Sequence, residues 1–354
     1  MVHTSGARCW PSRLSKVSGA QAAACSAPAF VFRIIAERSG VRSVSSDVAV
    51  DSRERARGLL LGAAVGDALG APFEGAVRVD ERLLASAENV TGQLSYTDDT
   101  ALTLVLAEHL AERRGGEDAL DPDALAREFA DAWAAEPWRG YGSAAQEIFR
   151  LICTGMDWRT VASASFGGQG SFGNGAAMRV APVALVADDL ADAARLARRS
   201  AVLTHAHADG EAGAALQGCA AYLALHSSPG EPLDRAAIRE ELRGAGIEEH
   251  WLAKLDIIAE FDPETEPERA AQLLGHGVAA LESVPTALAA FLINPDSPAE
   301  VIRWAIRAGG DTDTIACMAG ALAGARNGAD AFPDSWIQRL EHADLLTECA
   351  DRLA

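Results

Sequence analysis

Lysine is almost missing from this chain. Lys16 and Lys254 are the only two among 354 residues, and nearly all positive charge is carried by arginine. Acids outnumber bases, and the net charge of −19 argues against a nucleic-acid surface, leaving room only for a local basic patch. No apolar run reaches the ~18–20 residues of a membrane-spanning helix. The best candidate, residues 58–73, is broken by Asp67. Cysteines are few and scattered (Cys9, Cys25, Cys153, Cys219, Cys317 and Cys349), with no CxxC pair. That excludes zinc-finger spacing and makes a reducing, cytoplasmic setting the default. Strand signals are scarce, with residues 180–186 and 201–204 the only tempting runs. No fixed-period repeat is present, which excludes a solenoid. What is abundant is apolar side chain, at 49%, enough for a large buried core.

Residues 1–50 differ from the rest, being rich in Arg, Ser and Ala with no acid before Glu37. We expect a disordered extension with a short helix at residues 30–37. It is either a transit peptide, which would make the protein mitochondrial, or the product of a start codon assigned too early. The ordered chain is expected to run from residue 51 to 354 as one all-α domain. Its first helix, residues 52–69, carries Gly62, Gly66 and Gly70 on one face, where another helix can approach closely. Further helices are expected at 101–114, 122–135, 188–200, 211–226, 235–244 and 248–260. Others follow at 267–282 (interrupted by Gly275 and Gly277), 286–292, 298–308 and 312–325, with one or two more over 336–353.

Two similar strings stand far apart on this chain. Thr97, Asp98, Asp99 and Thr100 open one apolar helix; Asp311, Thr312, Asp313 and Thr314 open another, after Gly309 and Gly310. Helix capping accounts for one such cluster, since Thr and Asp suit N-caps and first turns. Two clusters of nearly one string point instead to a shared site for hard divalent ions, Mg²⁺ with Mn²⁺ as substitute. Four Asp and the Thr hydroxyls are enough for two ions, which together clamp substrate oxygens and activate water. Asp67 and Glu74 lie at the exit of the first helix, where they can join this chemistry.

Residues 167–178, GGQGSFGNGAAM, form a glycine-rich loop whose N–H groups can wrap an anion. It has no internal Lys or Arg and is not a P-loop. Phe166 and Phe172 flank it, placed to stack on a base. His205 and His207 form an H-x-H pair, open to readings as a zinc pair, a positioned hydrogen-bond donor or helix-start packing. Asp311-Thr312-Asp313-Thr314 also matches the DxDxT of haloacid-dehalogenase phosphatases, but the preceding residues are no strand.

With these residues assembled, the chain resembles the ADP-ribosylglycohydrolase family over residues 54–350. Five motifs occur in order: GxxxGD…E at 62–74, YTDDTA at 96–101, GSFGNGAAMRVAP at 170–182, LTHAHADG at 203–210 and GGDTDTIACMAGALAG at 309–324. RGYG at 139–142 and ESVPTA at 282–287 are similar to the branch that removes ADP-ribose from serine; Gln169 and Phe172 depart from it. The resemblance implies a compact orthogonal helical bundle with two Mg²⁺ ions held by Thr97, Asp98, Asp99, Asp311, Asp313 and Thr314. It implies Glu74 as a mobile catalytic carboxylate, with Asp98 or Asp99 orienting water. Gly170, Ser171, Phe172, Gly173 and Asn174 would cradle the diphosphate and distal ribose. Phe166 would stack near adenine, His205 would bond the ligand, and Gly142 and Val278 would line the pocket. The implied partners are ADP-ribosylated proteins and ADP-ribose, and we expect a monomer with neither nucleic-acid nor membrane binding.

Overall fold

The computed structural model describes residues 50–114 and 118–354. The extension before residue 50, with its expected helix at 30–37, lies outside the described residues. Among those residues the chain forms sixteen α-helices and three short 3-10 turns, with no strand. In order they are α1 (Ser52–Gly70), α2 (Glu81–Glu88), α3 (Asp98–Arg113), α4 (Pro122–Ala135), α5 (Ser143–Cys153), α6 (Trp158–Gly168), α7 (Leu190–Ala201) and α8 (Ala208–His226). Then come α9 (Arg235–Gly244), α10 (Glu249–Ala259), α11 (Pro267–Leu274), α12 (Ala280–Ile293), α13 (Pro298–Arg307), α14 (Thr312–Asn327), α15 (Asp334–Arg339) and α16 (Ala343–Leu353). The all-α expectation holds.

The fold is organised on the contact between α1 and α14. A Cβ on Gly58 would lie 2.3 Å from the Gly324 oxygen, one on Gly62 2.3 Å from the Gly320 oxygen, and one on Gly66 2.0 Å from the Ala316 oxygen. Rising numbers on one helix meet falling numbers on the other, so the two run antiparallel, backbone on backbone. Only glycine lets them come this close. The end of α1 is thereby delivered to the start of α14, where the Thr312 hydroxyl bonds the Gly70 carbonyl at 2.9 Å. Both helices are buried nearly throughout, which explains the almost continuous apolar run of α14.

Other elements correct the sequence reading. The 267–282 segment is interrupted where its glycines predict, the helix stopping at Leu274 as Gly275 turns out with φ +91°, but residues 280–282 belong to the next helix. The next helix begins earlier than expected, at Ala280, and carries Pro285 inside it. Residues 181–185 are a buried 3-10 turn rather than a strand, with Pro182 at its start. Three helices escaped the sequence reading. α2 buries only Leu84, α5 has no side-chain cap, and α6 is kinked where Phe166 takes φ +50° and Gly167 φ +69°.

Candidate active site

The start of α3 shows how capping and chemistry divide the acids. Asp67, fully buried on α1, accepts from the backbone N–H of Thr97 (3.0 Å) and of Thr100 (3.0 Å) and from the Thr100 hydroxyl (2.6 Å). Thr97 caps the helix through its own hydroxyl, which accepts from Asp99 N–H at 3.3 Å. The Asp98 N–H donates to the Arg139 carbonyl at 2.9 Å. The orphan donors of the first turn are thus satisfied by Asp67, Thr97 and Arg139. The Asp98 and Asp99 carboxylates are left over, and Asp99 Oδ2 is buried with no hydrogen-bond partner.

The start of α14 behaves alike. Asp311 occupies the N-cap position without a side-chain cap bond. Its carboxylate instead accepts from Asn174 Nδ2 at 2.5 Å, which ties the acid cluster to the glycine-rich loop. Gly310 turns the chain into this position with φ +73°, and a Cβ there would lie 1.9 Å from the His276 oxygen. Its N–H donates to Ala76 O (2.7 Å), and its carbonyl accepts from Gly75 N–H (2.8 Å). That pair of bonds holds the loop bearing Glu74 against the cluster. Carboxylate oxygens of Glu74, Asp311 and Asp313 lie within 4.8 Å of one another.

Burial and crowding of like charge lift Asp67, Glu74, Asp98, Asp99 and Asp313. Burial, then the Asp311 charge, pushes Asp313 up to about 9. Burial followed by Asp67 raises Asp98 to about 7 and Asp99 well above the ordinary carboxylate range. Asp67 itself rises to about 6 by burial, and Glu74, though exposed, is raised by partial burial and by Asp311. Such a set is stabilised by a cation. Oxygen-only donors, an unpartnered buried Asp99 oxygen and three converging carboxylates fit a hard divalent ion.

One cleft of about 360 Å³ joins this cluster to the glycine-rich loop. It is lined by Glu74, Thr97, Asp98, Asp99, Gly142, Phe166, Ser171, Phe172, Gly173, Asn174, His205, Val278, Asp311, Asp313 and Thr314. The structure therefore brings together every residue that the resemblance assigned to the site except Gly170, while Asp67, Thr100, Thr312 and His207, also singled out in the sequence, do not line the cleft. Gly170 is buried with φ +75°, and a Cβ there would lie 2.5 Å from His207 N, so it turns the loop over residues 206–207 rather than facing the cleft. Phe166 and Phe172 stand exposed at the rim with ring centroids 6.2 Å apart. His205 is held neutral, its pKa driven down to about 3 by burial and by Arg179. His207 serves another purpose, capping α8 through Nδ1 and meeting the Phe172 ring edge-on at 5.7 Å. The two Nδ1 atoms are engaged separately, His205 with Thr204 and His207 with the Asp209 N–H, and among the described residues Glu74, Asp311 and Asp313 are the one group of three or more His, Cys, Asp or Glu donors that converge.

Two arginines were missed as site residues. Arg179 is buried in the cleft wall, directly after the glycine-rich loop, where a charge inside an apolar string was the signal. Arg139 is buried behind Asp98. Its guanidinium spends all five donors, on Glu136 (3.0 and 3.1 Å), Glu341 (both 2.9 Å) and the Tyr96 carbonyl (3.0 Å). It also lies 4.2 Å over the Tyr96 ring. Gly140, next in the chain, takes φ +97° and brings the backbone near Asp98.

Comparison with known proteins agrees with this geometry. A model of the ADP-ribosylglycohydrolase family matches residues 49–354. The zebrafish (Danio rerio) ADP-ribosylhydrolase ARH3 is 36% identical over 335 residues, covering 84% of this chain and 90% of that protein. The human ADP-ribosylhydrolase ARH3 is 36% identical over 348 residues, covering 86% and 95%. A solved structure described as an ADP-ribosylglycohydrolase-related protein complex superposes with a TM-score of 0.60 at 27% identity, covering 85% of this chain and 97% of that one. The chain belongs to the ADP-ribosylglycohydrolase family, hydrolases that act on ADP-ribose linkages.

Proposed function

We propose that this protein is a divalent-metal-dependent hydrolase that cleaves the bond between ADP-ribose and a modified serine, releasing ADP-ribose. The supporting observation is the single cleft with an acid cluster at one end and an anion-cradling loop at the other. Thr97, Asp98, Asp99, Asp311, Asp313 and Thr314 would hold two Mg²⁺ ions, with Mn²⁺ able to replace them. Ions there would supply Lewis-acid polarisation and a template for ribose hydroxyls. The Ser171 and Phe172 N–H groups bind the diphosphate, the Asn174 N–H being spent on the Val278 carbonyl at 2.9 Å, and Phe166 and Phe172 stack on the adenine. Positive charge develops at the anomeric carbon as its bond to the serine oxygen breaks. Glu74, its pKa raised, takes the proton of the attacking water and returns it to the departing serine oxygen; Asp98 and Asp99 orient that water.

Free ADP-ribose released from serine- and arginine-modified peptides, with Mg²⁺ and then with EDTA, tests the reading. Release from serine alone, lost in EDTA, is expected. Release from arginine keeps the mechanism and changes the linkage; tight ADP-ribose binding with no release from either marks a binding module. E74A should lower turnover on the order of 10²–10³-fold while ADP-ribose still binds. A fall in affinity as large as the fall in rate would assign Glu74 to ligand binding instead. R139K should weaken Mn²⁺ binding roughly ten-fold or more, because lysine cannot replace a five-donor fork behind a ligand. Titration calorimetry reads this directly, and unchanged Mn²⁺ affinity would reduce Arg139 to a purely structural clamp.

A further inference from the structure

His205 lies at the end of a buried hydrogen-bond chain that begins on Arg179. The Arg179 guanidinium donates to the Thr204 hydroxyl (2.9 Å), to the Ser200 carbonyl (3.2 Å) and to the Gly175 carbonyl (2.9 Å). It packs 4.5 Å from the Phe129 ring, and its Nε is buried without a partner. Among the described residues it forms no ion pair. A guanidinium can only donate, so it occupies a lone pair of Thr204 Oγ1. The other neighbour of that hydroxyl is His205 Nδ1, at 2.7 Å. That hydroxyl has no other acceptor among the described residues, so its proton goes to Nδ1, and the neutral ring carries its own proton on Nε2. Nε2 lies beneath the glycine-rich loop: a Cβ on Gly175 would be 3.0 Å from it and one on Gly173 3.5 Å. No protein acceptor takes that proton among the described residues.

We infer that Thr204, itself held by Arg179, is a positioning residue that presents His205 as an Nε2–H donor to an oxygen of ADP-ribose lying against Gly173 and Gly175. The inference rests on the ADP-ribose reading of the cleft. It extends that reading to Thr204, which does not line the cleft, and explains a buried arginine without a carboxylate partner. With the Thr204 hydroxyl gone, the ring loses the bond that selects its tautomer, and Arg179 loses an acceptor. A serine at this position restores both.

The test uses the full chain, with T204V and T204S. Two-bond ¹H–¹⁵N correlation spectra report the His205 tautomer, the resonance being assigned by its disappearance in H205N. Calorimetry reports the ADP-ribose Kd. We expect the Nε2–H form in the wild type and in T204S. In T204V we expect a mixed tautomer and roughly ten-fold weaker ADP-ribose binding. A wild-type ring protonated on Nδ1 overturns the inference, as does a T204V protein with unchanged tautomer and Kd. Should T204V not fold, the wild-type spectrum decides alone. The spectra need no ligand, so the two readings fail separately: a tautomer that shifts in T204V while the wild type binds no ADP-ribose sinks the ligand reading and supports the positioning role.

Discussion

Replacing Asp313 by Asn should abolish metal-dependent turnover and, in the metal-free protein, raise the melting temperature. Both effects follow from the same crowding. Asp313 is buried beside Asp311, Asp67 and Glu74, and its folded-state pKa is pushed up to about 9. An acid whose pKa is higher folded than unfolded binds more protons in the folded chain, so stability falls as pH rises between the two values. The unfolded value is about 4, while Asp67, Asp98 and Asp313 rise to about 6, 7 and 9. Without divalent ions the melting temperature should therefore fall steadily from pH 5 to pH 9, and added Mg²⁺ should restore more of it at pH 8 than at pH 5. At pH 8 the unfolded Asp313 is ionised and folding must return a proton to it, a cost that D313N avoids at nearly constant volume. The expected gain is about 2–4 °C at pH 8, accompanied by a loss of turnover on the order of 10³-fold. Differential scanning calorimetry with and without EDTA, paired with the release assay, checks both. Retained activity would remove Asp313 from the metal set. A lowered melting temperature in EDTA would mean that these acids stabilise the fold rather than strain it.

Gly66→Ala should be far more damaging than an added methyl group usually is. The new Cβ would lie 2.0 Å from the Ala316 oxygen and 2.4 Å from its carbonyl carbon, both backbone atoms that cannot rotate away. The two helices would have to part, and overpacking of this kind costs about 1–3 kcal/mol or more. Separation would also move Asp67, one residue on, away from the α3 donors it caps. We expect a drop of several degrees in melting temperature together with weaker Mn²⁺ binding. Gly244→Ala is the control. It sits at the end of α9 with open space around its Cβ position, and should be neutral or slightly stabilising. A G66A protein that melts with the wild type would refute the close α1–α14 contact.

Much of this was legible in the order of residues. Helix is local, so the all-α class followed from periodicity and caps, and α4 and α9 are found at the residues expected of them. The glycine face of α1 was visible as a four-residue spacing, because residues at that spacing share one side of a helix. The two Thr/Asp strings were visible because oxygen ligands recur in them. Residues that depend on a partner far along the chain were not visible. Sequence could not tell which acids cap and which are left for chemistry. That division was made when α1 brought Asp67 to the Thr97 and Thr100 donors and freed Asp98 and Asp99. Nor could it show that Asn174 reaches Asp311 across 137 residues, or that Arg139 ties the Asp98 turn to Glu341. Composition and spacing therefore determined the helices, the ligand chemistry and the need for a close helix crossing. Tertiary structure decided the roles, because a carboxylate or guanidinium acts through whichever long-range neighbours satisfy it or leave it unsatisfied.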